Sequence, residues 1–284
     1  QMSEANNWSV QETHDRLKAY YDGYHFSRRN MVDVYNPYSL VNALKSKEII
    51  NFWASSGATS LLPKFVDNAE LRLSKFENCS VMRNTLELSD VSGGGAELFL
   101  YQSGYLTIKE SDEFGYILGF PNEEVKQALY ETVLPALAMR SENEIQSLQA
   151  CLYRELGTGQ IDEAMKSLKA LIADVPYSNK KLASMDMEER YRLIISTILN
   201  AIGLDVEVEK MISTGRIDMT VKISRYIYVI ELKLRNNGGK EAATEQILNR
   251  QYMEPFKADK RKVIGLGIEL DEEGKGLLDW KRVE

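Results

Sequence analysis

The sequence predicts an α/β protein, α+β overall: a mainly helical N-terminal part with a small β-hairpin, followed by a C-terminal mixed sheet flanked by helices. Three observations predict this. Runs such as Tyr226-Ile227-Tyr228-Val229-Ile230 are rich in β-branched and aromatic residues, which suit strands. The C-terminal 105 residues read in the order helix, three strands, helix, strand, an arrangement that gives a mixed sheet covered by helices. Most of the chain before Lys180 reads instead as helices.

The first helix is expected over Val10–Tyr20, with a capping box in Ser9-Val10-Gln11-Glu12 and a stop at Asp22-Gly23. An extended piece, Val32–Tyr35, leads to Asn36-Pro37, which suits the start of another helix. Short amphipathic helices are expected at Phe52-Trp53 and Thr59–Val66, and Ser92-Gly93-Gly94-Gly95 reads as a connector. A helix near Glu97–Gln102 precedes the hairpin strands Tyr105–Lys109 and Tyr116–Phe120. Pro121-Asn122 then opens a helix to about Ala138, and further helices are expected at Glu142–Leu156 and Ile161–Ala173. The segment from Pro176 to Lys181 reads as a linker and sets a domain boundary at 179/180. Beyond it come a helix (Met187–Ile202), strands (Asp205–Met211, Arg216–Lys222, Tyr226–Leu234), a helix (Lys240–Met253), and strands at Lys262–Glu269 and Leu277–Lys281.

Composition narrows the function classes. The net charge of −7 is divided unevenly: residues 180–284 stand at +1 and residues 1–179 at −8. Neither part has the strongly basic footprint usual for nucleic-acid binders, though a domain near neutrality can still bind a polyanion through a local basic face. Cys79 and Cys151 stand alone, and His14 and His25 share no pattern with them, which argues against a zinc site or a His-dependent triad. No apolar run is long enough to span a membrane and no signal peptide is visible, so a cytoplasmic protein without a membrane partner is expected. Gly93-Gly94-Gly95 and Gly157-Thr158-Gly159 both lack the lysine of a phosphate-binding loop, which excludes an ordinary P-loop ATPase.

The chemistry concentrates in Gly215-Arg216-Ile217-Asp218 and Glu231-Leu232-Lys233. Pairing the two strands about Ser224-Arg225 sets Asp218 opposite Glu231, about 5 Å apart at Cβ. Lys233 shares the face of Glu231. The other face then joins Ile217, Met219 and Val221 to Leu232, Ile230 and Tyr228 as a continuous apolar surface. Two carboxylates in this position suit a hard cation such as Mg²⁺ (or Mn²⁺), with the Leu232 carbonyl as a further ligand and Lys233 beside the attacking water. Charges that interrupt an apolar strand are costly without a purpose. On the preceding helix, Tyr191, Ile194, Ile195, Ile198, Leu199 and Ile202 form an apolar stripe with Glu188 on its shoulder. Gln246 and Arg250 lie one turn apart on the following helix.

These residues, with Glu245-Gln246-Ile247, Gln251-Tyr252 and Pro255-Phe256, resemble the PD-(D/E)XK nuclease superfamily, in particular the C-terminal domain of bacterial AAA-ATPase-like proteins. Upstream, Tyr21-Asp22-Gly23-Tyr24, Val34-Tyr35-Asn36-Pro37-Tyr38-Ser39, Phe52-Trp53-Ala54-Ser55-Ser56-Gly57, Gly104-Tyr105-Leu106-Thr107-Ile108 and the segment from Phe120 to Val125 resemble the region that follows the ATP-binding core in those proteins. The resemblance implies a restriction-endonuclease-like fold and Mg²⁺-dependent cleavage of nucleic acid, DNA in the first instance. It implies Asp218 and Glu231 as metal ligands, Lys233 as the catalytic lysine, and Glu188 and Gln246 as helix-borne supports. A local match to Glu-Arg-Tyr favours Glu189 in place of Glu188. The nucleotide-binding core of those proteins is absent, so an ATPase domain enters only as an expected partner, and the oligomeric state stays open. The alternative is an inactive, nuclease-derived binding or regulatory module.

Overall fold

The computed structural model describes residues 1–25, 31–56, 73–87, 95–138, 142–173, 175 and 185–284. It divides into two compact units, Gln1–Thr132 and Val133–Glu284. The expected helix at Thr59–Val66, the connector residues 92–94 and the linker at 176–181 lie outside the described residues.

In the first unit, helices α1 (Met2–Asn6), α2 (Val10–Tyr21) and α3 (Pro37–Ser46) gather around Met2, Leu17, Tyr21 and Ala43. The sequence punctuation works locally as expected. The Ser9 hydroxyl accepts from the Glu12 amide at 3.0 Å, and the Asn36 side chain accepts from Tyr38 and Ser39 at the start of α3. Phe52-Trp53 leads not into an α-helix but into a single 3₁₀ turn, Trp53–Ser56, whose leading amides donate to the buried Glu124. The expected hairpin, β2 (Thr107–Ser111) with β3 (Gly115–Gly119), gains a third strand, β1 (Cys79–Met82), in the order β1-β3-β2. A 3₁₀ helix (Leu73–Glu77), the short α4 (Arg83–Glu87), α5 (Gly95–Gln102) and α6 (Glu123–Ala138) complete the described elements up to the second unit, which begins within α6.

The second unit continues with α7 (Glu142–Thr158), α8 (Ile161–Ala173) and α9 (Met187–Ala201). Its sheet comprises β4 (Asp205–Ile212), β5 (Gly215–Ile223), β6 (Tyr226–Leu234), β7 (Lys262–Leu270) and β8 (Leu277–Val283), in sequential order β4-β5-β6-β7-β8. Every neighbouring pair is antiparallel except β6 with β7. A parallel pair needs a crossover, and α10 (Gly239–Asn249) supplies it. The stripe on α9 is buried as expected from Tyr191 to Leu199. The Tyr191 hydroxyl also accepts from the Gly276 amide at 2.8 Å, which ties α9 to the turn before β8.

Helix α10 ends at Asn249, short of the expected Met253. Gln251 turns left-handed (φ 52°), the Tyr252 amide closes back on the Ile247 carbonyl at 3.0 Å, and Pro255 follows in a 3₁₀ turn. The helix lies on β7 by close contact. A Cβ added to Gly267 would come within 2.7 Å of Thr244 Cγ2 and 2.8 Å of the Lys240 carbonyl oxygen. Gly265 is similarly crowded, with Ile247 Cγ2 at 3.1 Å from the same hypothetical atom.

The β5–β6 pairs run from Ile223↔Tyr226 to Met219↔Ile230 in the expected register. The ladder then stops, one pair short of Asp218 and Glu231. On the other side of β5, Val208↔Met219 and Lys210↔Ile217 flank an unpaired Glu209 and Asp218, and Glu209 has φ 54°. A non-glycine residue with positive φ inside a strand is uncommon, and irregularities of this kind re-aim side chains. The continuous apolar face expected from the alternation is accordingly interrupted. Met219 and Val221 share the face of Ile230 and Tyr228, but Ile217 packs with Ile227, Val229, Ile247, Tyr252 and Phe256, the face covered by α10. β5 changes faces at Asp218.

Candidate active site

Asp218 is held where the two strands part. Its Oδ2 accepts from the backbone amide of Leu232 at 3.0 Å, replacing the ladder bond that the departing strand no longer supplies. Its Oδ1 accepts from Arg192 Nη1 at 2.8 Å. Two residues further along β6, the Leu234 amide donates to Glu188 Oε1 at 3.3 Å, and Asn237 Nδ2 reaches the same oxygen at 3.1 Å. The two carboxylates therefore cap successive amides on one edge of β6, about 7 Å apart along the strand. The Leu232 carbonyl lies on that edge as well, because the N–H and C=O of one extended residue point to the same side.

Glu188 and Arg192 are one turn apart on α9 and project to this edge together. Asp186 starts the helix, its side chain accepting from the Glu189 amide at 2.8 Å. The guanidinium of Arg192 spans two strands, with Nη2 also 3.5 Å from Glu209 Oε1. Arg216 Nη1 contacts the same Glu209 oxygen at 2.9 Å.

Glu231 is 1% exposed. Its Oε1 receives a short hydrogen bond from Gln246 Nε2 and lies 3.5 Å from Lys233 Nζ. Gln246 is itself within 3.3 Å of the Tyr252 hydroxyl, which anchors it over the Ile217 cluster. Its reach to Glu231 depends on the glycines of β7: Gly267 stands beside Glu231 in the β6–β7 register and lets α10 settle against the sheet. Burial, reinforced by the charge of Asp218, pushes the Glu231 carboxyl up to about 8, against the opposing pull of Lys233. The Oε2 atom of Glu231 is buried and receives no hydrogen bond of normal geometry.

The donor set fits a hard divalent cation. Asp218, Glu231 and the Leu232 carbonyl offer oxygen only, and Glu231 keeps one buried oxygen without a hydrogen-bond donor. Among the described residues no group of three or more His, Cys, Asp or Glu side chains is placed to hold a metal, so such an ion would take its remaining ligands from water. Mg²⁺ commonly binds through one or two carboxylates and retains several waters.

Residues 186–280 match the model of the PD-(D/E)XK nuclease superfamily. The matched span contains every residue of this candidate site, and the five-stranded mixed sheet with its flanking helices is consistent with the superfamily fold. Along nearly its whole length, 94% of it, the chain is also similar (27% identical) to an uncharacterized protein in the vnfD 5′ region of Azotobacter chroococcum mcd 1. The chain spans about half the length of that relative, 52%. No solved structure matches. Among the described residues, no helix is long and apolar enough to cross a membrane.

The structure brings Asp218, Glu231, Lys233, Leu232, Glu188 and Gln246 around the parting of β5 and β6. Arg250, grouped with Gln246 in the sequence, instead exchanges hydrogen bonds with Thr214 in the β4–β5 turn. Arg192 and Glu209 escaped the sequence reading. The spacing of Arg192 from Glu188 was a usable signal. Glu209 had none, because its role depends on a backbone irregularity that no residue type announces.

Proposed function

We propose that the C-terminal unit hydrolyses phosphodiester bonds in nucleic acid, with DNA as substrate and Mg²⁺ or Mn²⁺ as cofactor. The observation that carries this reading is the placement of Asp218 close enough to a deeply buried Glu231 for their charges to interact, with Lys233 on the same carboxyl and the Glu231 Oε2 atom buried away from the Gln246 contact. Asp218, Glu231 and the Leu232 carbonyl would hold the ion. When bound, it polarises the scissile phosphate and makes water a better nucleophile at neutral pH. Lys233 supplies an ammonium for the attacking water and for charge developing on the phosphate. Gln246 orients Glu231, while Glu188 fixes the end of β6 and presents its carboxylate to water near the reacting phosphate. The sequence module that does this begins near residue 180, belongs to a cytoplasmic protein, and follows a region of the kind associated with AAA-ATPase-like domains.

The test is digestion of supercoiled plasmid and of single-stranded DNA and RNA by the full chain with Mn²⁺. Cleavage by wild type, lost in Asp218→Asn and in Lys233→Ala, supports the proposal. Equal behaviour of wild type and both variants overturns it. One observation favours a second reading, a nucleic-acid-binding module without catalysis: Arg192 already gives Asp218 a positive partner. Metal-independent DNA binding without cleavage, retained in Asp218→Asn, would establish that reading instead.

A further inference from the structure

We propose that Arg192 is a resident competitor for the cation site, a guanidinium that yields Asp218 and keeps Glu209 when a divalent ion binds. The inference rests on the reading of Asp218 and Glu231 as a cation site and adds a residue that sets its affinity.

Four observations carry it. Arg192 is only 14% exposed and sits on Asp218 Oδ1 at 2.8 Å, so it is part of the site and not a solvated surface cation. A second seat lies within reach, since Nη2 is already 3.5 Å from Glu209 Oε1. Glu209 and Asp218 occupy the facing, unpaired positions of β4 and β5, so the two acceptors are on adjoining strands and a small rotation of one side chain exchanges them. Finally, Asp218 does not need Arg192 to keep its aim, because the Leu232 amide holds Oδ2 independently. Arg216 shares Glu209 and keeps that carboxylate paired when Arg192 is engaged with Asp218.

Like charges repel strongly over a few ångströms in a partly buried site. A guanidinium left on Asp218 therefore weakens cation binding, and its withdrawal is coupled to that binding. The consequence is a site that stays charge-balanced without metal and binds metal less tightly than its ligands alone would allow.

The experiment measures Mn²⁺ binding to the full chain by electron paramagnetic resonance, at constant pH and salt, with circular dichroism to verify folding. Arg192→Gln is expected to bind Mn²⁺ about tenfold more tightly than wild type. Arg192→Lys, which keeps a cation, should stay near wild type. Glu209→Gln, which removes the second seat, should bind about threefold or more weakly. Arg192→Met replaces Arg192→Gln if the latter does not fold. Unchanged or weaker binding in the neutral Arg192 variants, with binding lost in Asp218→Asn, overturns the competitor role and leaves the cation site standing. Failure of both wild type and Arg192→Gln to bind Mn²⁺, or equal binding by wild type and Asp218→Asn, overturns the cation site and this proposal together.

Discussion

The backbone amide of Leu232 donates to Asp218 Oδ2 at 3.0 Å, one step past the last paired residues of β5 and β6. A side chain thus takes over where the backbone ladder ends, and Glu188 does the same for Leu234. Removing the acceptor should be felt in stability as well as chemistry. Asp218→Ala leaves a buried amide unsatisfied and should cost about 1–3 kcal/mol in urea denaturation. Asp218→Asn keeps a carbonyl acceptor and should cost clearly less, while losing Mn²⁺ binding to the same extent.

Lys233 touches Glu231 but is not among the oxygen donors. Lys233→Ala is therefore expected to retain Mn²⁺ and to reduce the rate of DNA cleavage by about 100-fold or more. Rate and metal affinity falling together would assign Lys233 to the metal site and not to the transition state.

Gln246 acts through Glu231, whose Oε1 it holds. Gln246→Ala should lower Mn²⁺ affinity by about 10–100-fold, as loss of a residue orienting a metal ligand does. Gln246→Glu places a second acid against Glu231 and should raise the Glu231 pKa further.

Glu231 also predicts a pH dependence. With its carboxyl pushed up to about 8, metal binding below that pH must displace a proton. Apparent Mn²⁺ affinity should rise from pH 6 to about 8 and level off above it, with calorimetry in buffers of different ionisation enthalpy reporting the released proton. Without metal the sign for stability is opposite. The folded protein holds this proton more tightly than the unfolded chain, so the contribution is fully present below the unfolded pKa and is lost as pH rises through about 8. Glu231→Gln should flatten that decline in a series of thermal melts.

Gly267 gives a test of the helix placement. Gly267→Ala forces a methyl into Thr244 and the Lys240 carbonyl and should cost about 1–3 kcal/mol. Because the helix must lift, the same change should weaken Mn²⁺ binding through Gln246, although residue 267 contributes no ligand.

Much of this was legible in local sequence. Ser9 and Asn36 announce their helices because capping is a short-range hydrogen bond. The β5–β6 register follows from alternation, because a slip would bury charge and expose apolar side chains. Glu188 reaches the β6 edge from the shoulder of its helical stripe. The face switch at Ile217 and the φ of Glu209 were not legible, since both arise from how three strands accommodate one another around Asp218. β1 escaped notice for a related reason: four residues, Cys79–Met82, pair with a strand more than thirty positions away and carry too little pattern to announce themselves.

The single parallel pairing in the sheet has a consequence for the order in which the protein matures. β4, β5 and β6 are joined by short turns and can zip together as soon as they are synthesised. The long-range closure of β6 on β7 must wait for the whole crossover. Until then Glu231 is hydrated like any surface acid, without Gln246 above it or β7 beside it. The raised proton affinity of that carboxyl therefore belongs to the assembled sheet, with β7 and the crossover helix in place, and not to β6 alone.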